Sequence, residues 1–332
     1  MLPPQPTLSR PKHGRTHRRT VAPSRLQSRS PLWQRISLLL ATILGLSVTL
    51  YPTAATWFTD TAQGGTLDAF ANLAEHLPND EKQRILDAAH DYNESLPQGE
   101  LRDPYSLPNN TSSPSSDVTD DYFKQLNLEG IDVMARVRIP SINVDIPTYH
   151  GTSMETLDRG SGHILGSSLP VGGEGTHSVI TAHAGLPHAR MFTDLPRVKK
   201  GETFSVTVLD EVLTYRVDQI TVVEPHDISN LTITPGKDYL TLITCTPLHI
   251  NSHRLLIRGE RIPTPVGDPQ LVSAQYQSAF PWWILIFVGL SAGAAVLLFT
   301  PARSAKKPAK PAAQQKLSAG NQASVEELLG QL

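Results

Sequence analysis

The chain of 332 residues has a single cysteine, at the end of the β-type run "YLTLITC" and just ahead of Thr246-Pro247. A thiol with a reference pKa of about 8.5 is only a few per cent thiolate at neutral pH. To act as a nucleophile, Cys245 needs an imidazole to take its proton or a cation to stabilise the thiolate, and then a donor for the oxyanion. Four histidines are candidates: His183 and His188 in "VITAHAGLPHARMF", and His249 and His253 in "TPLHINSHRLLIRG". His183, at the end of a β-type run and followed by a Gly/Pro loop, ranks first. Arg254 lies on the run after the cysteine. Consecutive strands commonly pair, which sets Arg254 beside Cys245 across a hairpin with residues 246–252 as its loop. His253 and Arg254 adjoin on one strand and point to opposite faces, so only one of them faces Cys245. The bland alternative is a small buried hydrophobe, the usual state of a lone cysteine among strand residues.

These residues must be positioned by β structure. From about residue 122 to 263 the chain alternates short strand-forming runs with turn punctuation: "MARVRIP", "VDIPTY", "HSVITAH", "TFSVTVL", "LTYRVDQITVVEP", "YLTLITC" and "HRLLIRGERI". Seven or eight such runs without a long helical period predict a mainly β domain, closed as a barrel or stacked as a sandwich. Before it, residues 60–121 are expected to be helical and then irregular. Leu67, Phe70, Leu73 and Leu77 recur at helical spacing, and Asn79-Asp80 are placed to cap a second helix through Ile85, Ala88, Ala89 and Tyr92. "SLPQGELRDPYSLPNNTSSPSSD" then reads as a long loop, of the kind that serves as a lid or linker.

Composition narrows the class. The net charge is −2, so no global field marks a nucleic-acid binder, and one cysteine excludes an intramolecular disulfide and any CxxC metal or redox motif. Charge is nevertheless uneven. Residues 1–35 carry eight Lys/Arg and no Asp or Glu, and residues 36–59 are uncharged. A second uncharged stretch holds "FPWWILIFVGLSAGAAVLLF" and is followed by Arg303, Lys306, Lys307 and Lys310. Each apolar run reaches about 20 residues, enough for a helix to cross roughly 30 Å of hydrocarbon. Trp33 and Trp57 flank the first and Trp282 and Trp283 begin the second, at the positions amphipathic rings take at a membrane interface. With basic residues on the outer side of both spans, the positive-inside rule puts both termini in the cytoplasm and the segment between the spans outside. The alternative for the first span is a cleaved signal peptide. The expected organisation is a basic segment 1–35, an anchor 36–59, a helical and lid region 60–121, a β domain 122–263, a linker 264–278, a second span 279–300 and a polar tail 301–332, with "SVEELLGQL" as at most a short helix.

Several segments together resemble the class C sortases, the pilin-polymerising sortases of Gram-positive bacteria. "TLITCTP" resembles the sortase TLxTC signature, "SVITAHAGLP" the stretch bearing the family histidine and "NSHRLLIRG" the strand bearing the family arginine. "IPSINVDIPTYHGTS", "GSGHILGSSLPVGGEGTHS" and "VVEPHDISNLTITPGKDYLTLITC" follow the same pattern. Ala182-His183-Ala184-Gly185 departs from the commoner Gly-His-Arg-Gly, and Thr246-Pro247-Leu248-His249 from Thr-Pro-Tyr-Gly.

The resemblance implies a sortase-type closed β-barrel with short helices. It carries the roles of nucleophile, acid–base and oxyanion or substrate-backbone donor onto Cys245, His183 and Arg254, with the Thr244 hydroxyl as a supporting contact. It implies a lid whose Asp-Pro-aromatic motif falls on Asp103, Pro104 and Tyr105, closing over Cys245 and Arg254. It implies cleavage of an LPxTG-type sorting signal and transfer to a lysine of a neighbouring pilin subunit, with no metal or organic cofactor and no nucleic-acid partner. Two further readings stay open: a housekeeping sortase that attaches surface proteins to a peptidoglycan precursor, and a membrane-tethered β module without activity.

Overall fold

The computed structural model describes residues 31–96, 116–227, 229–265 and 279–300. Within them the β-type runs form eight strands: β1 (Val133–Ile139), β2 (Val144–His150), β3 (Ser161–His163), β4 (Thr176–Thr181), β5 (Thr203–Val208), β6 (Glu211–Val223), β7 (Asp238–Thr246) and β8 (His253–Ile262). They close into one barrel in the order β1-β2-β3-β4-β7-β8-β6-β5, with β5 returning to β1. Two contacts, β2–β3 and β4–β7, are parallel, and the others are antiparallel. The β1–β2 reversal uses a 3-10 turn at Pro140–Ile142, closed by Asn143 at φ 52°, a left-handed conformation that asparagine tolerates better than most residues.

Alternation along the strands sorts the side chains into two apolar groups. Val137, Ile180, Leu240, Leu242, Leu255 and Ile257 belong to the main core. Val179, Ile243, Leu256 and Val223, on the other face of the same strands, join Ile164 and Leu231 in a second cluster. Covered on both faces, β4, β7 and the Arg254–Ile257 part of β8 read as continuous buried runs and not as alternating ones, as strands of this kind do.

Four α-helices precede or interrupt the barrel and one follows it: α1 (Leu32–His76), α2 (Asn79–Ser95), α3 (Ser116–Lys124), α4 (Met154–Arg159) and α5 (Trp282–Phe299). By length and composition, α1 and α5 can each cross a membrane. The chain divides into two compact units, residues 44–290 and the two terminal segments 1–43 and 291–332. Within the larger unit, the indole of Trp57 donates to the Ala279 carbonyl at 2.8 Å and its ring lies edge-on to Trp283.

The helical stripes differ in detail from those read in the sequence. The backbone does not break at residue 60; α1 runs on to His76, and its buried stripe is Gln63, Leu67, Phe70 and Ala74, with Leu73 37 % exposed. In α2 the buried face is Lys82, Leu86, Ala89 and Tyr92, so Ala88 is exposed. Asn79 is already helical and Pro78 precedes it, so no side chain caps that end; Asp80 and Glu81 in the first turn complement the helix dipole instead. Lys82 is buried because its ammonium reaches Asp210 at 2.6 Å in the β5–β6 turn. The short elements β3, α3 and α4 have no counterpart in the sequence reading.

α3 is tied to the barrel through a buried histidine. Tyr122, fully buried, donates its hydroxyl towards His163, whose Nδ1 lies 3.0 Å away and whose carbonyl lies 3.1 Å away. His163 Nε2 faces the Ser168 carbonyl at 2.8 Å, which can only accept, so Nε2 carries the proton and Nδ1 is the acceptor. Burial pulls this imidazole down to about 4, and the charge of His150 adds to the shift while the Ser168 carbonyl opposes it. Between that value and the unfolded pKa of about 6.5, the unfolded chain binds more protons than the folded one. Stability therefore falls as pH drops through this window, by about 3 kcal/mol from His163 alone. Denaturation midpoints of wild type and His163→Gln at pH 7 and pH 4 check this: the variant is expected to lose markedly less stability on acidification. Equal losses would mean that His163 is not buried as the neutral imidazole.

Candidate active site

β4, β7 and β8 are neighbours in the barrel, and their directions bring three side chains to one rim. β4 and β7 run parallel with Thr181 opposite Ile243. Beyond the strand, the Ala182 amide still donates to the Ile243 carbonyl, and His183 follows it. β8 starts at the same rim because it is antiparallel to β7, and Arg254 is the direct partner of Cys245. Residues paired in register share a face, and residues two apart on a strand do too. Cys245 and Arg254 therefore follow Ile243 and Leu256 on the face carrying the second apolar cluster, and His183 follows the β4 end at the same rim. Ile243, Leu256, Val179, Val223, Ile164 and Leu231 lie beneath as a shelf.

Local contacts fix each residue. Cys245 is 8 % exposed and Arg254 is 6 % exposed. The Arg254 Nη1 donates to the carbonyls of Asn251 and His253, each at 3.1 Å. The first carbonyl belongs to the β7–β8 connection, where the amides of Ile250 and Asn251 bond the Pro247 carbonyl and Asn251 adopts φ 59°; the second belongs to the first residue of β8. The Thr244 hydroxyl donates to the Ala182 carbonyl at 2.8 Å, and the Ala182 amide donates to Ile243 at 3.2 Å. Thr244 thus ties the strand carrying the thiol to the residue before His183. The loop after His183 folds back through Phe192 N to His183 O at 3.0 Å and Gly185 N to Thr193 Oγ1 at 2.9 Å. Gly185 is needed there twice over: it has φ 79°, and a Cβ would come within 2.9 Å of Leu248.

The electrostatics suit a neutral base. Burial pulls the half-buried His183 imidazole below the ordinary 6.5; the charge of Asp158 opposes this and that of His188 adds to it. His249 and His253 are exposed, and His253 pairs in register with Thr246 while its ring bonds the Ser252 hydroxyl. Among the described residues, no group of three His, Cys, Asp or Glu side chains is placed to hold a metal ion. Asp103, Pro104 and Tyr105 lie outside the described residues.

Contacts that sequence reasoning missed come from far along the chain. Thr59 and Gln63 on α1 bond the loop that follows His183, and Asn93 on α2 bonds both backbone groups of Leu169. The one available signal was a glutamine in register with Leu67 and Phe70 on an otherwise apolar helical stripe.

Known proteins share this fold. The sortase domain family matches residues 137–262. Sortase C-1 of Actinomyces oris is 44 % identical, with a TM-score of 0.51 over 55 % of this chain and 98 % of that one. The pilus-related sortase C of Group B Streptococcus is 40 % identical, with a TM-score of 0.53 over 59 % of this chain and 96 % of that one. Sortase C2 of pilus island 1 in the same organism is 48 % identical, with a TM-score of 0.51 over 56 % of this chain and all of that one. Among curated relatives, sortase A of Streptococcus agalactiae is 27 % identical over 139 residues; the match spans 41 % of this chain and 56 % of the relative, little more than half its length. The closed barrel, the matched domain and the identity of 40 % or more to sortase structures covered almost whole all point one way: the chain belongs to the sortase family.

Proposed function

We propose that the chain is a membrane-anchored cysteine transpeptidase that cleaves an LPxTG-type sorting signal and joins pilin subunits through a lysine isopeptide bond. The observation that carries this reading is the in-register Cys245–Arg254 pair, with His183 on the adjoining strand end and an apolar shelf beneath. The pilus-related sortases among the structures at 40–48 % identity favour the pilin substrate over a housekeeping role, since sortase A is only 27 % identical.

In this mechanism the Cys245 thiolate attacks the threonine carbonyl of the signal. Arg254 donates to the oxyanion or to the adjoining substrate backbone. The C–N bond to glycine breaks as His183 protonates the leaving amine, and a thioester remains on Cys245. A lysine amine of the next subunit then attacks the thioester and gives up its proton to His183, and the thiolate departs. Thr244 supports the site by holding Ala182, and with it the start of the His183 loop. Basic residues beyond both apolar segments put the termini in the cytoplasm and the barrel outside.

A membrane-impermeant LPxTG peptide added to intact cells tests chemistry and topology together. An acyl-enzyme on Cys245 is expected, resolved by an amine acceptor. Trapping only after lysis would overturn the topology; no trapping in either case would overturn the chemistry; resolution only by a peptidoglycan-type amine would favour the housekeeping reading.

A further inference from the structure

We propose that Thr59 and Gln63, on the helix that continues from the N-terminal apolar segment, are positioning residues for His183, so that the anchor helix is a working part of the catalytic site.

Two hydrogen bonds from α1 reach the loop between His183 and Phe192, and a third reaches α4. The Thr59 hydroxyl donates to the His188 carbonyl at 2.8 Å. Gln63 Nε2 donates to the sulfur of Met191 at 3.4 Å and to the carbonyl of Arg159 at 2.9 Å. Between them on the helix, Asp60 feels the charge of Arg190 on the same loop. Thr59 and Gln63 are one helical turn apart and so present the same face to that loop.

The chemistry of Gln63 carries the inference. It is 6 % exposed and opens the buried stripe that continues through Leu67, Phe70 and Ala74. A methionine or leucine would satisfy burial there at no polar cost, whereas an amide at this depth costs free energy unless both its hydrogens find acceptors. Its acceptors belong to two different elements. One is the His183 loop; the other is the end of α4, next to Asp158, whose charge acts on the His183 imidazole. Gln63 therefore bridges the loop that follows His183 and the end of α4 that carries Asp158. The loop it braces has no strand or helix of its own between Ala184 and Met191, and Met191 holds a left-handed φ of 42°. The bracing residues follow within two turns of Trp57, the ring that clasps Ala279 and Trp283. The helix that enters the membrane in the proposed topology is thus the helix that holds the base.

The inference rests on the transpeptidase reading for its effect on rate but not for its effect on His183. The test uses the full-length chain in detergent micelles with Gln63→Met, Thr59→Val and Thr59→Ser. Imidazole NMR titration of His183, read without substrate, is expected to shift in Gln63→Met and Thr59→Val and to return in Thr59→Ser. Peptide cleavage is expected to lose about tenfold in kcat with KM unchanged, as for a misplaced catalytic group. An unchanged His183 titration in both disruptive variants would overturn the inference whatever happens to activity. A shifted titration with full kcat would leave the contact standing and remove His183 from the chemistry.

Discussion

Cys245→Ala is expected to abolish both peptide cleavage and polymer formation, a loss of at least roughly ten-thousandfold, as when the nucleophile of a covalent mechanism is removed. No other residue in the chain can form the thioester, because Cys245 is the only thiol. The barrel should be almost undisturbed. The side chain is small, it sits at the end of β7, and its neighbours Thr244 and Arg254 hold their own hydrogen bonds to backbone carbonyls. Truncating a side chain of this size near a rim costs about 1 kcal/mol. Cleavage assays and circular dichroism on the same preparation check the prediction. A folded variant with wild-type turnover would end the transpeptidase reading.

His183→Ala and Arg254→Ala should each lower the rate of acyl-enzyme formation at least about a hundredfold, the usual scale for losing acid–base help or an oxyanion donor. His249→Ala and His253→Ala should cost far less, since both side chains are exposed and His253 pairs with Thr246 and not with the cysteine. Arg254→Lys is the more informative change. It keeps the charge but not the planar fork, which bonds the carbonyls of Asn251 and His253. Most of the loss is therefore expected to persist in the lysine variant. Single-turnover kinetics with a thiol count as the active-site control provide the measurement. If charge alone restored the rate, Arg254 would act by stabilising the thiolate and not by directed hydrogen bonds.

Much of the barrel was legible because strand periodicity is local. The runs from "MARVRIP" to "HRLLIRGERI" contain or overlap seven of the eight strands, and β7 and β8 are consecutive, so the Cys245–Arg254 pairing could be read from a hairpin. β3 was not legible, since three residues rich in small side chains carry no period of their own and pair only because Thr148–His150 and Ile180–Thr181 lie beside them. α3 begins among serines and aspartates, and it is held by the Tyr122–His163 contact and not by propensity. The parallel β4–β7 contact was equally hidden. Nothing in "SVITAH" announces that it will lie beside "LTLITC", because β5 and β6 intervene in the chain. The resemblance to a known family supplied His183 where periodicity could only rank it among four.

On the proposed mechanism, that parallel contact also sets when the chain becomes reactive. The imidazole and the thiol are separated by 62 positions, and both β5 and β6 must be threaded past before β4 and β7 can meet. Such non-local pairing forms late, because the entropy of closing a long loop is lost before the contact is gained. A chain whose barrel has not yet closed thus carries its thiol on a strand that lacks its β4 neighbour. On the proposed mechanism, reactivity appears only when β4 and β7 meet. Completion of the fold is then the step that assembles the reactive pair.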